Sequence, residues 1–255
     1  MAFFESFVAM AHRGGYIDEA DRARENSIYV FRRAVDLGYR YIETDVHATR
    51  DGKLIAFHDD RLDRVTDRQG LVAKLPFREV RKARIAGIDQ IPSLDEVLEE
   101  FPKTYFNVDI KSPLAIWPLA EALKKHNAQG RVCVASFSEN RLRKFRRLLP
   151  KVTTSLSTLG VAWNVFGPVR PNFPFSSRIL QLPVSQKIRG VDVKLVTKRL
   201  IERARQANKR VHVWTINDAD KMAELIDLGV NGLISDRPDV LKRVAEEKGV
   251  WDARG

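Results

Sequence analysis

The 255-residue chain is 44% hydrophobic and 30% charged and has no apolar run of about 18 residues, so a globular protein without a membrane-spanning helix is expected. Its net charge of +11, from 44 basic against 33 acidic residues, favours anionic partners: phosphate-bearing substrates, nucleic acid or anionic lipid surfaces. Part of that surplus, Arg141, Arg143, Lys144, Arg146 and Arg147, is strung along a presumptive helix and reads as a solvated face.

The opening MAFFESFVAMAHRGG lacks a basic region and runs into an apolar strand, Phe7 to Ala11, so it does not read as a signal peptide. That strand ends in His12-Arg13-Gly14-Gly15. Glu25-Asn26-Ser27 offers cap chemistry for a helix with Ile28, Phe31 and Val35 on its apolar face, closed by Gly38. Tyr41 to Val46 reads as a strand, and side chains two apart on a strand share a face, so Glu43 and Asp45 point the same way. Burying two unpaired carboxylates side by side costs several kcal/mol, which a bound cation can offset. Arg50-Asp51-Gly52-Lys53 is a hairpin turn, because Asp-Gly supplies the backbone freedom it needs. Leu54 to Phe57 returns antiparallel and brings His58 and Asp59 near the carboxylates. A turn-rich excursion follows from Asp60 to Gln90, with a basic helix predicted over Phe77–Ile85. Ser93 to Glu96 matches a capping box opening a helix with Leu94, Val97, Leu98 and Phe101 inward.

From there strands and helices alternate. Strands are predicted at Thr104–Lys111, Arg131–Phe137, Val152–Thr158, Ile179–Pro183, Arg210–Thr215 and Gly232–Ser235. Helices are predicted at Pro118–Asn127, Ser138–Leu149, Val196–Asn208, Asp218–Leu228 and Asp239–Glu247, while the Pro- and aromatic-rich stretch Trp163–Phe175 replaces a regular helix. Cys133, the only cysteine, sits between valines and reads as core filler. No internal disulfide is possible, which fits a cytoplasmic protein. No repeat, linker or low-complexity tract divides the chain, so residues 1–255 read as a single domain.

Parallel neighbours need a crossover of roughly a dozen residues, so the strand after the 48–53 turn is an antiparallel extension. Eight strands with longer connections remain, the count that closes an α/β (β/α)₈ barrel. An open doubly wound sheet is disfavoured, because no glycine-rich dinucleotide loop follows the first strand. The barrel predicts that functional groups gather at the C-terminal ends of the strands. His12 ends strand one, Glu43 and Asp45 strand two, Asp109 and Lys111 strand three, Trp214 and Asn217 strand seven, and Asp236 strand eight.

Glu43, Asp45 and Asp109 make a hard oxygen site suited to Mg²⁺, Mn²⁺ or Ca²⁺. His12 and His58 can exchange protons near neutral pH, and Arg13 and Lys111 add fixed positive charge for a phosphate. That set describes phosphodiester cleavage better than acyl transfer or redox chemistry, with no nucleophile elbow or thiolate competing. Trp214 is a candidate substrate wall. His126 and His212 read as structural, and His47 shares the face of Glu43 and Asp45 but lies further along.

The motifs AHRGG (11–15), ENS (25–27), ETDVHATRDGKLIAFHD (43–59), LDRVT (62–66), IPSLDEVL (91–98), NVDIK (107–111), SF (136–137), VWTIN (213–217) and GLISDRP (232–238), in that order, resemble the bacterial glycerophosphodiester phosphodiesterase family. This family belongs to the phospholipase-C-like phosphodiesterase barrels, and the resemblance runs from about Phe7 to Val244. It implies hydrolysis of a small-molecule glycerophosphodiester to glycerol 3-phosphate and an alcohol, with one divalent cation. It also implies His12 and His58 as acid and base, Arg13 on the phosphate with Lys111 close by, and Glu43, Asp45 and Asp109 on the metal. The family generally has glutamate at Asp109, implying a slightly wider or water-filled metal site here; it often has glutamine at His47 and threonine at Ser27. The family's small inserted domain is replaced by the short 60–90 segment, read as a lid or substrate wall. A second reading is a lysophospholipase D in transient contact with an anionic membrane, using Trp163–Phe175. A third, a catalytically inactive basic binding protein, is opposed by the intact histidine and carboxylate set, and no specific nucleic-acid partner is expected.

Overall fold

Short buried strands alternate with amphipathic helices in the computed structural model, which describes residues 2–4, 7–167 and 177–251. The first half contains β1 (Val8–His12), α1 (Ile28–Asp36), β2 (Tyr41–Ala48), β3 (Leu54–Ala56), α2 (Phe77–Val80), β4 (Arg84–Ile85), β5 (Asp89–Gln90) and α3 (Leu94–Glu100). There follow β6 (Tyr105–Ile110), α4 (Ile116–Lys125), β7 (Val132–Ala135), α5 (Glu139–Leu148), β8 (Thr153–Thr154) and α6 (Thr158–Phe166). The chain ends with β9 (Ile179–Leu182), β10 (Ser185–Ile188), β11 (Val191–Lys194), α7 (Lys198–Gln206), β12 (Arg210–Val213), α8 (Ala219–Leu228), β13 (Gly232–Ser235) and α9 (Pro238–Glu247).

Parallel pairing runs β8-β7-β6-β2-β1-β13-β12-β9. A parallel bridge between Ser155 and Ile179, with Leu156 N donating to Ile179 O at 2.8 Å, brings the two ends together. The result is a nearly closed, eight-stranded parallel barrel wrapped by helices, as expected. β3 pairs antiparallel with β2, His47 opposite Ile55, which is the expected hairpin extension. No helix among the described residues is long and apolar enough to cross a membrane.

Alternation along the strands builds two cores. Outward-facing Ile42, Val46, Phe106 and Val108 pack under the helices, where Phe31 meets Phe101 and Phe106 edge-on. Burying each such side chain stabilises the fold by roughly 1.5–3 kcal/mol. Inward-facing Val8, Met10, Tyr41, Cys133, Ile179 and Ile234 fill the barrel, and Phe3 plugs its N-terminal end against Tyr41 and Tyr105. Continuing along the same inward faces, Met10 gives way to His12, Tyr41 to Glu43 and Asp45, and Tyr105 to Asn107 and Asp109. The barrel interior is apolar at one end and ionic at the other.

Three local expectations need correction. The basic helix over Phe77–Ile85 stops at Val80, and Arg84–Ile85 instead pairs with Asp89–Gln90 around Ala86 and Gly87, both at positive φ. Ile55, Phe57, Leu62, Val72, Val80, Ala83, Ile85 and Ile91 form a small separate core there, so the segment folds onto β3. The strand at Val152–Thr158 keeps only Thr153–Thr154, because Ser157 accepts a hydrogen bond from Gly160 N and starts α6. Helix α6 therefore occupies Trp163–Phe166, where no regular helix was expected, and residues 168–175 of that stretch lie outside the described residues. The β10–β11 hairpin was not expected at all.

Capping fixes the loops that carry the site. Ser27 alone caps α1, accepting from Val30 N, while Ser93 and Glu96 form the full capping box of α3. Gly14 has φ +87°, and a Cβ there would lie 2.6 Å from Val30 Cγ2 and 2.8 Å from Phe31 Cδ1. Gly52 has φ +79° with nothing within 4 Å of such a Cβ. Gly52→Ala should therefore cost only backbone strain, about 1 kcal/mol. Gly14→Ala should cost at least about 2 kcal/mol more, because it adds overpacking against α1. Urea unfolding of the two variants checks this, and equal midpoints would contradict it.

Candidate active site

The ionic end of the barrel opens into a cavity of about 430 Å³. His12, Arg13, Glu43, Asp45, His58, Asp109, Lys111 and Trp214 all line it, so every candidate residue from the sequence reaches one place. The register explains the convergence: His12 pairs with Glu43 across β1–β2, and Asp45 with Asp109 across β2–β6.

The carboxylates are buried and depend on two cations. Lys111 Nζ lies 2.8 Å from Asp45 Oδ1 and 2.7 Å from Asp109 Oδ2, and Arg13 Nε lies 3.2 Å from Asp45 Oδ2. Asp45 is 1% exposed. Burial alone would push it up, but Lys111 and Arg13 outweigh that and hold it below its ordinary pKa. Glu43 has weaker partners, the Arg13 backbone N–H donating at 3.2 Å and His12 Nε2 at 3.7 Å, so burial, then repulsion from Asp45, push it up to about 7. Burial likewise raises Asp109. Lys111 is pulled towards neutrality by burial, yet Asp45 and Asp109 more than compensate, and it stays firmly charged.

Each histidine is held by its own carboxylate. His12 Nδ1 is 2.6 Å from Asp236 Oδ1, and His58 Nδ1 is 2.6 Å from Asp59 Oδ1. Burial disfavours the His12 imidazolium, but the Asp236 hydrogen bond and the Glu43 charge win, so its pKa is raised. Asn217 Nδ2 donates to Asp236 Oδ2 at 2.8 Å, and Arg64 Nε donates to Asp59 Oδ2 at 2.6 Å. With Arg64 and His58 bound to it, Asp59 is held down to about 2 despite partial burial.

Glu25 and Asn26 do more than the cap chemistry predicted for them. Glu25 accepts from Arg13 and Arg64, and Asn26 Nδ2 donates to Asp45 Oδ2 at 3.2 Å while accepting from Thr44 Oγ1. These residues and Arg64 were not among the predicted site residues, while Asp59 and Asp236 were placed at the rim without a role. The signal available was position: Asp59 adjoins His58, Asp236 ends a strand, and Arg64 lies in LDRVT. His47 donates to or accepts no catalytic candidate's side chain; its Nε2 lies 3.0 Å from the His58 carbonyl oxygen, the geometry of a donor. His212 is fully buried, and burial drops its pKa to about 3, as befits a neutral interior residue. His126 is paired with Asp95 at 2.7 Å and does not line the cavity.

The remaining walls are set by other elements. Trp214 stands edge-on to Phe137, centroids 5.9 Å apart, and Gln181 donates to Asn107 on the floor. Leu156, Val161, Leu182, Pro183 and Leu195 form an apolar side next to α6 and the β10–β11 hairpin, which contributes Gln186. None of the residues lining the cavity comes from 60–90, whose apolar side chains face β3 instead; that segment reaches the site through Arg64.

In this side-chain arrangement no three acidic, histidine or cysteine groups among the described residues converge as an ion-binding cluster, because Lys111 lies between Asp45 and Asp109. Yet Asp109 Oδ1 is buried without a hydrogen-bond partner, and Glu43, which faces His12 Nε2 at 3.7 Å, is still pushed up by burial. Three buried hard-oxygen donors, two of them under-compensated, fit a divalent ion such as Mg²⁺ or Ca²⁺.

The Glycerophosphoryl diester phosphodiesterase family profile matches residues 12–240. Over 253 residues the chain is 38% identical to a probable glycerophosphodiester phosphodiesterase 2 of Mycobacterium tuberculosis, covering 96% of this chain and 93% of that protein. It is 28% identical to lysophospholipase D GDPD1 of Homo sapiens, covering 91% of this chain and 84% of that one. Among solved structures, an Oleispira antarctica phosphodiesterase in complex with the product sn-glycerol-3-phosphate superposes with a TM-score of 0.77 at 22% identity, covering 94% of this chain and 96% of that chain. With its barrel, its rim of histidines and carboxylates and a family match across nearly its whole length, the chain belongs to the glycerophosphoryl diester phosphodiesterase family.

Proposed function

We propose that this glycerophosphodiester phosphodiesterase releases glycerol 3-phosphate and an alcohol by acid/base catalysis through His12 and His58. One observation carries the reading: two imidazoles face one cavity, each with its Nδ1 tied to a carboxylate, and His12 Nε2 lies 3.7 Å from Glu43 Oε2 on the cavity wall. Arg13 and Lys111 face the phosphate, and Trp214 walls the glycerol. No serine, threonine or cysteine stands out as a nucleophile, so the substrate's own 2-hydroxyl attacks phosphorus. One imidazole takes its proton, the P–O bond to the alcohol breaks, and the other imidazole protonates the leaving oxygen. Water then opens the cyclic phosphate as the two imidazoles reverse roles. Glu43, Asp45 and Asp109 would hold one divalent cation, Mg²⁺, Ca²⁺ or Mn²⁺, which supplies charge to offset the phosphoryl oxygens and orients the glycerol hydroxyls. The Oleispira antarctica protein's bound sn-glycerol-3-phosphate supports the product assigned here.

In the same reading residues 1–255 act as one phosphodiesterase domain in the cytoplasm on a small-molecule diester, with 60–90 buttressing Glu25 and Asp59 through Arg64. A second substrate class, lysophospholipids, is supported by the apolar side of the cavity, where an acyl chain would gain burial that a soluble head group would not.

His12→Ala and His58→Ala should each lower turnover by about 10²–10⁴-fold with little effect on folding, whereas His126→Ala should leave the rate unchanged. Steady-state rates with matched thermal melts check this; near-normal turnover in either variant removes that histidine from the assignment. Asp236→Asn should lower the His12 pKa, read from the imidazole resonances in an NMR titration, because it removes the hydrogen-bonded charge that now holds the proton on. An unmoved titration would mean that Asp236 does not tune this ring. Glu43→Ala and Asp45→Ala should abolish turnover and divalent-ion binding measured by calorimetry, and Asp109→Glu should be tolerated. Full activity in excess chelator would exclude the cation. A deoxy substrate lacking the 2-hydroxyl should bind but turn over far more slowly, since tethered attack lowers the barrier by several kcal/mol. Equal turnover would point to water as the nucleophile.

A further inference from the structure

The rim around the cavity is divided. Four neighbouring strands, β6, β7, β8 and β9, are each followed at the C-terminal end by an exposed large apolar side chain. Leu114 and Trp117 (59% and 64% exposed) follow β6, Phe137 (58%) follows β7, and Leu159 (66%) follows β8. After β9 the β10–β11 hairpin rises beside the cavity. Its Arg189-Gly190 turn, both residues at positive φ, carries the cross-strand pair Ile188 and Val191 at its tip. Cross-strand pairs share a face, so Ile188 and Val191 continue the face of Gln186, which lines the cavity, and of Val193, which packs on the core. The other half of the rim, after β12, β13, β1 and β2, presents Asn217, Asp236, Arg13 and the Asp59–Arg64 pair instead.

Charge indicates what this apolar arc meets. The hairpin carries Lys187, Arg189 and Lys194, with Lys187 opposite Asp192 and Lys194 4.0 Å from Glu224; neither 112–120 nor 152–166 contains an acidic residue, and Glu139 after β7 is held by Arg146 and Ser157. An exposed apolar arc with basic side chains and almost no acids is complementary to an anionic lipid surface, where the apolar tips enter the interface and the cations meet head groups. The apolar side of the cavity opens towards the same arc.

We propose that this arc, with the β10–β11 tip and Trp117 as its anchors, docks the barrel mouth on an anionic lipid bilayer. The proposal deepens the lipid-facing second reading above, and its test is read without turnover. The full chain is mixed with vesicles of phosphatidylglycerol and phosphatidylcholine, or of phosphatidylcholine alone, and the bound fraction is measured by co-sedimentation. Binding to the anionic vesicles is expected, weakened by salt and at least about fivefold weaker on the neutral ones, from the loss of attraction at one or two basic side chains. Ile188→Glu with Val191→Glu, Trp117→Glu, and Lys187→Glu with Arg189→Glu should each weaken vesicle binding about tenfold or more. Hydrolysis of soluble glycerophosphocholine without vesicles should stay at the unsubstituted rate. No binding to the anionic vesicles overturns the proposal, as does binding that these substitutions leave unchanged. Concentration-dependent self-association that the same substitutions abolish would also overturn it, assigning the arc to a second copy of the chain. Loss of soluble-substrate hydrolysis in the unsubstituted protein would strike the phosphodiester assignment alone, since vesicle binding is measured separately.

Discussion

Three carboxylates buried at the ionic end of the barrel set the terms for everything around them. Removing such groups from water costs several kcal/mol each unless positive charge and hydrogen bonds replace the lost hydration. Asp45 is answered by Lys111, Arg13 and Asn26 together, and Asp109 shares Lys111. Placing Arg13 there demands a tight turn: Arg13 itself has φ 52°, and Gly14 and Gly15 follow at +87° and +67°. A Cβ at Gly15 would lie 2.6 Å from Pro238 Cδ, so the same turn seats itself against the loop that carries Asp236. The electrostatic requirement of β2 thus dictates the shape of the loop after β1.

Positive charge is in turn shared outward. Arg13 and Arg64 both bind Glu25, and Arg64 also binds Asp59, so a single chain of ion pairs runs from Asp45 to His58. This is the structural use of the 60–90 segment: its own apolar core fixes it on β3 and delivers one guanidinium. On the opposite side Asn217 and Asp236 hold His12. The two imidazoles are held by unrelated parts of the chain with the same chemistry, a carboxylate on Nδ1 and a neutral amide or guanidinium behind it. Such fixed tautomers are what an exchange of protons across one phosphate requires.

The apolar half of the rim obeys a different constraint. Exposed Trp117, Phe137 and Val191 gain nothing from water, and single exposed apolar residues are ordinary, but here they follow four consecutive strands of the barrel. Phe137 and the hairpin's Gln186 also line the cavity, so polarity divides the site: ionic beside β1, β2 and β13, apolar beside β8 and β9.

The sequence by itself determined the eight-strand count, the hairpin after the second strand and the gathering of His12, Glu43, Asp45, Asp109 and Lys111 at one rim. Those follow from period-two alternation and from turn chemistry, which are local. It also carried the family resemblance, because nine short motifs in order leave little room for another fold. What only the tertiary structure decided is who compensates whom. Asp236 is 224 residues from His12, and Arg64 is 39 from Glu25, so neither pairing has a local signal. Helix α6 and the β10–β11 hairpin were missed for a related reason. Thr158–Phe166 has few polar residues to mark a face, and Ser185–Lys194 is exposed on nearly every residue, so neither shows the one-sided burial that periodicity detects. Their conformations are fixed by the barrel strands that they connect, a constraint present only once the sheet has closed.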